Sequence, residues 1–276
     1  MLNVVNDSER SVKTSDGTRI FYRTVGEGPR TVLFLHGWGG TGSGPFWNPV
    51  VREIDLRGLR LVLADLRGHG RSDHTRDGFT TERFAQDMFE VADDVRASGL
   101  VVVAYSMSGR WAQCMACSQP ERVHGQILVA PAPAAALPLT ESMLDDWIRT
   151  TRARDTFTGF ISQFTKVLPP AEILDDYFAA LHASPEHALR ESFRMCAQPG
   201  FTDRLSATRA ATLVVGGVHD PMLPPDYLRQ EVVQRIPGAR LALVDSGHEI
   251  PIELPSHLAA LIEAFVAGVA AGGDRP

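Results

Sequence analysis

A serine, an acid and a histidine stand just beyond three apolar runs of this chain, in the order Ser106, Asp220, His248. A serine hydroxyl attacks poorly until an imidazole takes its proton. The imidazole in turn needs a carboxylate to fix its tautomer and stabilise its cationic form. The chemistry open to such a set is nucleophilic attack on a carbonyl carbon. Ser106 lies in Tyr105-Ser106-Met107-Ser108-Gly109, between a run ending at Ala104 and the apolar stretch Trp111–Cys117. A serine on a sharp strand-to-helix turn is held with its hydroxyl exposed, provided the residues two before and two after it are small. Here they are Ala104 and Ser108, in place of the glycines of the Gly-x-Ser-x-Gly form. Ser108 is a competing candidate, but its flanks would be Ser106 and Arg110, and an arginine does not fit so crowded a turn. The plainer role for Ser106 is that of a turn serine capping the helix that follows.

Attack on a carbonyl creates an oxyanion that needs two preorganised N–H donors, one from the residue after the nucleophile and one from a loop after an early strand. These are the backbone amides of Met107 and Trp38, the latter in His36-Gly37-Trp38-Gly39-Gly40. Those glycines would equally suit any tight strand-to-helix loop. Asp220 closes Gly217-Val218-His219-Asp220, and His248 closes Asp245-Ser246-Gly247-His248. His219 is expected to point away from the acid beside it. Asp245 is too near His248 in sequence to hold its ring, so a capping or turn role is expected for it.

The elements that must position these groups are short Val-, Leu- and Ile-rich runs bounded by Gly, Pro or Asp. They are Arg19–Thr24, Thr31–Leu35, Leu59–Ala64, Leu100–Ala104, Gln126–Ala130, Ala211–Val215 and Ala239–Val244. Such runs suit strands buried on both faces. Phe84, Met88, Val91, Ala92 and Val95 recur at helical spacing, as do Leu254, Leu258, Leu261, Ile262 and Phe265, with Pro255 in a first turn that tolerates it. Strands alternating with helices predict an α/β fold with a mostly parallel sheet and helices on both faces. Residues 131–208 break the alternation, carrying Trp147, Phe157, Phe160, Phe164, Tyr177, Phe178, Phe193 and Met195 without a convincing strand. A structureless loop of that length is implausible, so a helical insertion is expected. The tail Ala270–Pro276 is expected to fray.

Composition narrows the partners. Lys+Arg 27 against Asp+Glu 33 gives a net charge of −6, with no basic block of the kind phosphate backbones require, so nucleic acid is not an expected partner. All but Lys13 and Lys166 of the basic residues are arginine, which reads as coding bias. Cys114, Cys117 and Cys196 are an odd set, and the Cys-x-x-Cys pair lies in an apolar stretch without a second ligand pair, so packing is expected rather than a metal or redox site. Met1–Ser11 lacks the basic and apolar segments of a secretory signal, and no apolar run reaches the roughly 18 residues of a membrane span. A cytoplasmic protein without membrane contact is expected, and the sequence sets no oligomeric state.

Five motifs in order, His36-Gly37-Trp38, Asp65-Leu66-Arg67-Gly68-His69-Gly70-Arg71-Ser72-Asp73, the serine turn, Gly217–Asp220 and Gly247-His248, make the chain resemble the α/β-hydrolase superfamily over nearly its whole length. The resemblance implies an α/β-hydrolase core over residues 1–130 and 209–276, with 131–208 as a helical cap. It further implies Ser106, Asp220 and His248 as catalytic triad, Trp38 and Met107 as oxyanion hole, and the Asp65–Asp73 segment as a structural turn under the site. Trp38, Tyr105, Trp147, Phe160 and Phe164 are the candidate substrate contacts. Hydrolysis of a small carboxylic ester or lactone follows, with neither cofactor nor metal. Similar proteins also include carbon–carbon bond hydrolases, many with Trp after the catalytic His where this chain has Glu249, and hydroxynitrile lyases that use a cap lysine, for which Lys166 is the candidate. Cofactor-free dioxygenases and non-catalytic small-molecule receptors share the fold as well.

Overall fold

Leu100–Tyr105, the strand leading to Ser106, is buried along its whole length, as expected where both faces of a sheet are covered. The computed structural model describes residues 7–40, 42 and 44–272. Its strands are β1 (Asp7–Lys13), β2 (Arg19–Val25), β3 (Arg30–Leu35), β4 (Leu59–Ala64), β5 (Leu100–Tyr105), β6 (Val123–Val129), β7 (Ala211–Gly217) and β8 (Arg240–Val244). They form one sheet in the order β1-β2-β4-β3-β5-β6-β7-β8. From β4 to β8 every neighbouring pair is parallel, while β1 and β2 add antiparallel strands at one edge. Strand β1 was not anticipated. Its sequence, DSERSVK, is polar and mostly exposed, and it is held by backbone pairing to β2 along its length rather than by an apolar face.

The core helices are α1 (Asn48–Val51), α2 (Thr81–Asp94), α3 (Ser108–Ser118), with α4 (Glu141–Arg152), α5 (Arg154–Ser162), α6 (Ala171–Ala183) and α7 (Glu186–Ala197) between β6 and β7, then α8 (Pro225–Glu231), α9 (Ile250–Glu253) and α10 (Pro255–Gly272). Residues 131–208 therefore contain helices and no strand. Helix α10 opens on Pro255, where the missing N–H costs nothing. It remains helical to Gly272, past the start of the tail expected to fray, and residues 273–276 lie outside the described residues, as do residues 1–6 of the segment read for a signal.

Strand alternation divides the core. Leu100, Val102 and Ala104 face a cluster with Phe84, Met88, Trp111 and Leu228 from α2, α3 and α8. Val101, Val103 and Tyr105 face Val50, Leu258, Ile262 and Phe265 from α1 and α10. Between β3 and β5 the chain's direction of winding reverses, since β4 lies on one side of β3 and β5 on the other. Such a switch point leaves a crevice at the carboxyl ends of the strands. Leu35 and Ala104 pair across it, which brings the loops after β3 and β5 together. Among the described residues no helix is long and apolar enough to cross a membrane.

Candidate active site

Ser106 sits between β5 and α3 with φ of 52°, a left-handed conformation that costs a non-glycine residue and persists only where surrounding structure holds it. Three contacts hold it. Its N–H donates to Val129 O at 2.9 Å, and its carbonyl accepts from Gly109 N at 2.9 Å and Ala132 N at 2.8 Å. The neighbours need to be small: a Cβ on Gly109 would lie 2.4 Å from Pro131 Cβ, and one on Gly37 would lie 2.8 Å from the Tyr105 ring. Ser108, the competing serine, is fully buried. Its Oγ accepts from Tyr105 N at 3.1 Å and lies 3.0 Å from the Leu35 carbonyl, so it braces the turn and offers no exposed hydroxyl.

Ser106 Oγ lies 2.9 Å from His248 Nε2, and His248 Nδ1 lies 2.7 Å from Asp220 Oδ2. The other carboxylate oxygen of Asp220 accepts from Met222 N at 2.8 Å and Leu223 N at 3.0 Å. Burial works to raise the Asp220 carboxyl, but the His248 imidazole and the two backbone amides outweigh it and hold the acid below its ordinary value. Burial likewise works to lower His248, and Asp220 outweighs it, so the imidazole is held above its ordinary 6.5. Hydroxyl, imidazole and carboxylate are thus bonded in series, the arrangement by which a general base activates a serine.

Met107 precedes the first turn of α3, where helical N–H groups lack intrahelical partners. Trp38 is fixed from the far side, its indole N–H donating to Leu189 O of α7 at 2.8 Å. His36, directly after β3 in the same motif, has a different role. Its Nε2 accepts from Leu66 N at 3.1 Å, so Nδ1 carries the proton and donates to Gly37 O at 2.8 Å. Burial lowers His36 to about 4, and the ring remains neutral while tying the loop after β3 to the Asp65–Asp73 turn. Arg67 in that turn is fully buried and pairs with Asp87 and Asp16.

A small, mostly apolar cleft opens at Ser106, lined by Trp38, Met107, Leu139, Trp147, Phe193 and Met222 among others. Of the aromatic side chains expected to contact substrate, Trp38 and Trp147 line it. Phe160 and Phe164 stand behind Trp147, with ring centroids 5.5 and 5.8 Å from it. Tyr105 does not line the cleft: strand alternation turns it to the opposite face of the sheet from Ala104, against Phe46 at 5.0 Å between centroids. Leu137, Leu139, Cys196 and Met222 line the cleft from connecting segments and helix ends, where periodicity carries no signal. Cys196 is pushed up to about 12 by burial, so its thiol stays protonated, while Cys114 and Cys117 are buried and free.

The loop carrying His248 is held chiefly by Glu253, which the sequence pattern does not mark. Glu253 accepts from Ser246 Oγ at 2.9 Å and Gly247 N at 3.0 Å with one oxygen, and from Lys166 N at 2.7 Å and Val167 N at 3.1 Å with the other. Asp245, expected to cap or form a turn, instead pairs with Lys166 Nζ and lies 2.9 Å from His219 Nε2. Lys166 is thereby held at the surface, and it does not line the cleft. Glu249 is buried and raised by that burial, with one carboxylate oxygen unpartnered.

A left-handed serine between a buried strand and a helix, bonded to a histidine that is bonded in turn to an acid, both on later loops of a mostly parallel sheet, defines a class of hydrolase. The chain belongs to the alpha/beta hydrolase fold family, whose model matches residues 30–168. It is similar to the non-heme chloroperoxidase CPO-A1 of Kitasatospora aureofaciens, 28% identical over 86% of this chain and 91% of that one. It is also similar to the 2-hydroxy-6-oxononadienedioate/2-hydroxy-6-oxononatrienedioate hydrolase of Escherichia coli O81, 27% identical over 83% and 84% of the two chains. Among solved structures it superposes on the esterase EaEST of Exiguobacterium antarcticum with a TM-score of 0.84, at 21% identity over 93% of this chain and 98% of the other.

Proposed function

We propose that this protein is a serine hydrolase of small carboxylic esters or lactones, working through an acyl-enzyme. The observation that carries the reading is the continuous hydrogen-bonded series from Ser106 through His248 to Asp220 at the mouth of an apolar cleft. Ser106 Oγ attacks the carbonyl carbon as His248 Nε2 takes its proton. The oxyanion accepts from the Trp38 and Met107 amides. Collapse expels the alcohol, which receives the proton from His248, and a water activated by the same imidazole releases the acid. Residues 131–208 act as a cap that closes the cleft.

Among the described residues the cleft lining includes no Arg or Lys, which favours a neutral substrate. A dioate such as the one in the name of the E. coli relative would find no Arg or Lys among the described lining residues to pair with. The surface position of Lys166 speaks against lyase chemistry that requires a lysine in the cap. The test is a panel of p-nitrophenyl esters of graded acyl length, run beside Ser106→Ala and fluorophosphonate labelling. Hydrolysis should fall by at least about a thousandfold in Ser106→Ala, and labelling should vanish. Activity that survives the substitution, or a folded wild type that neither labels nor hydrolyses any ester, would sink the proposal.

A further inference from the structure

Arg110 is fully buried, four residues beyond Ser106 on α3, and all its hydrogen-bond partners are neutral oxygens. Its Nη1 donates to the carbonyls of Ala134 at 3.1 Å and Ala135 at 2.8 Å, with Pro133 at 3.5 Å. Its Nη2 donates to Gln198 at 3.2 Å and Pro199 at 2.9 Å, and Nε reaches Thr81 Oγ1 of α2 at 3.3 Å. Residues 133–135 begin the helical insertion and 198–199 leave it, so one guanidinium grips both of its connections to the core. The two connections also touch each other. Leu137 N donates to Cys196 O at 2.9 Å, and a Cβ on Gly200 would lie 2.2 Å from Ala134 O.

Burying a cation is costly unless its donors are satisfied. Here the return is geometric: the planar fork spans two strands of backbone that a single ammonium could not span. The residues so fixed include the cleft wall itself, since Leu137, Leu139 and Cys196 adjoin the gripped carbonyls and face the cleft beside Ser106. We propose that Arg110 is a positioning residue that pins both ends of the insertion to the nucleophile helix and thereby sets which acyl groups the cleft accepts. This rests on the hydrolase reading for its kinetic consequence, but not for its mechanical one.

The test uses the full chain with Arg110→Lys and Arg110→Met, read by hydrogen exchange and by ester kinetics. In both variants, exchange should rise about tenfold or more in residues 133–139 and 196–201 together, because local opening is no longer opposed at either connection. KM for esters with longer apolar acyl groups should rise about tenfold, while kcat on the acetyl ester stays within about twofold. Faster exchange at only one connection, or at neither, overturns the pin. A lowered melting temperature with unchanged acyl preference overturns the specificity role and leaves Arg110 as ballast. Should both variants fail to fold, the wild type still decides: both connections must open with one common free energy, and two distinct values overturn the proposal. A wild type inactive on all esters would sink the hydrolase reading alone, since the exchange measurement stands apart from it.

Discussion

The backbone N–H of His248 donates to the Phe164 carbonyl at 2.6 Å, so the loop that presents the imidazole is fastened directly to the segment that follows α5. Gly247 makes the approach possible, because a Cβ there would lie 2.2 Å from that same carbonyl. Gly247→Ala must push the two backbones apart, and a displacement of about 1 Å at a reacting group costs on the order of a hundredfold in rate. The variant should lose kcat by at least tenfold or so on the best ester and melt at a lower temperature, measured side by side. Wild-type kcat in a variant that melts lower would show that the contact supports the fold and not the imidazole.

Asp220→Asn removes the charge that outweighs burial around His248. The imidazole must be neutral to accept the serine proton, and in the wild type it is held above 6.5, so kcat/KM should fall as pH drops through a value above 6.5. In the variant that acid limb should move to lower pH and kcat should drop by about 10⁴. A pH–rate profile whose acid limb stays in place would break the link between the two side chains.

Two histidines outside the Ser106–His248–Asp220 series should govern acid stability. Burial lowers His36 to about 4 and, with the neighbouring His36 ring adding to it, His69 to about 3. Both folded values lie below the ordinary 6.5, so the unfolded chain binds more protons between those limits. Their contribution is fully present above about 6.5 and is lost as pH falls through that window. Thermal melts from pH 7 to pH 4 should show a steeper decline for the wild type than for His69→Gln, and parallel declines would refute the assignment.

Lys166→Ala should leave ester hydrolysis within about twofold of wild type, since exposed ion pairs contribute about 0–1 kcal/mol and this one, to Asp245, stands away from the cleft. Initial rates on the ester panel suffice to check it. A hundredfold loss would restore a chemical role to this lysine.

Most of what positions the site was legible because it depends on local pattern. The strands leading to His36, Ser106 and Asp220 are continuous apolar runs, the turns beyond them are glycine-rich, and small residues flank Ser106 where its backbone demands them. Four things were not legible, each because it depends on what packs across. Strand β1 is polar and gains its order from β2. Tyr105 neighbours Ser106 in sequence, yet its direction follows from pairing in β5. The cleft wall is drawn from Leu137 and Met222 on connecting segments and from Cys196 in the last turn of α7, and Glu253 and Arg110 become informative only when their backbone partners are seen.

The alternation of Ala104 and Tyr105 across β5 carries a consequence for how this chain can change. Substitutions along the strand alter one face at a time and leave the other intact. An insertion or deletion of a single residue would exchange the faces of everything on one side of it, driving the phenol toward α3 and drawing the small residue away from the turn that needs it. The strand that delivers the serine is therefore held more tightly in length than in composition.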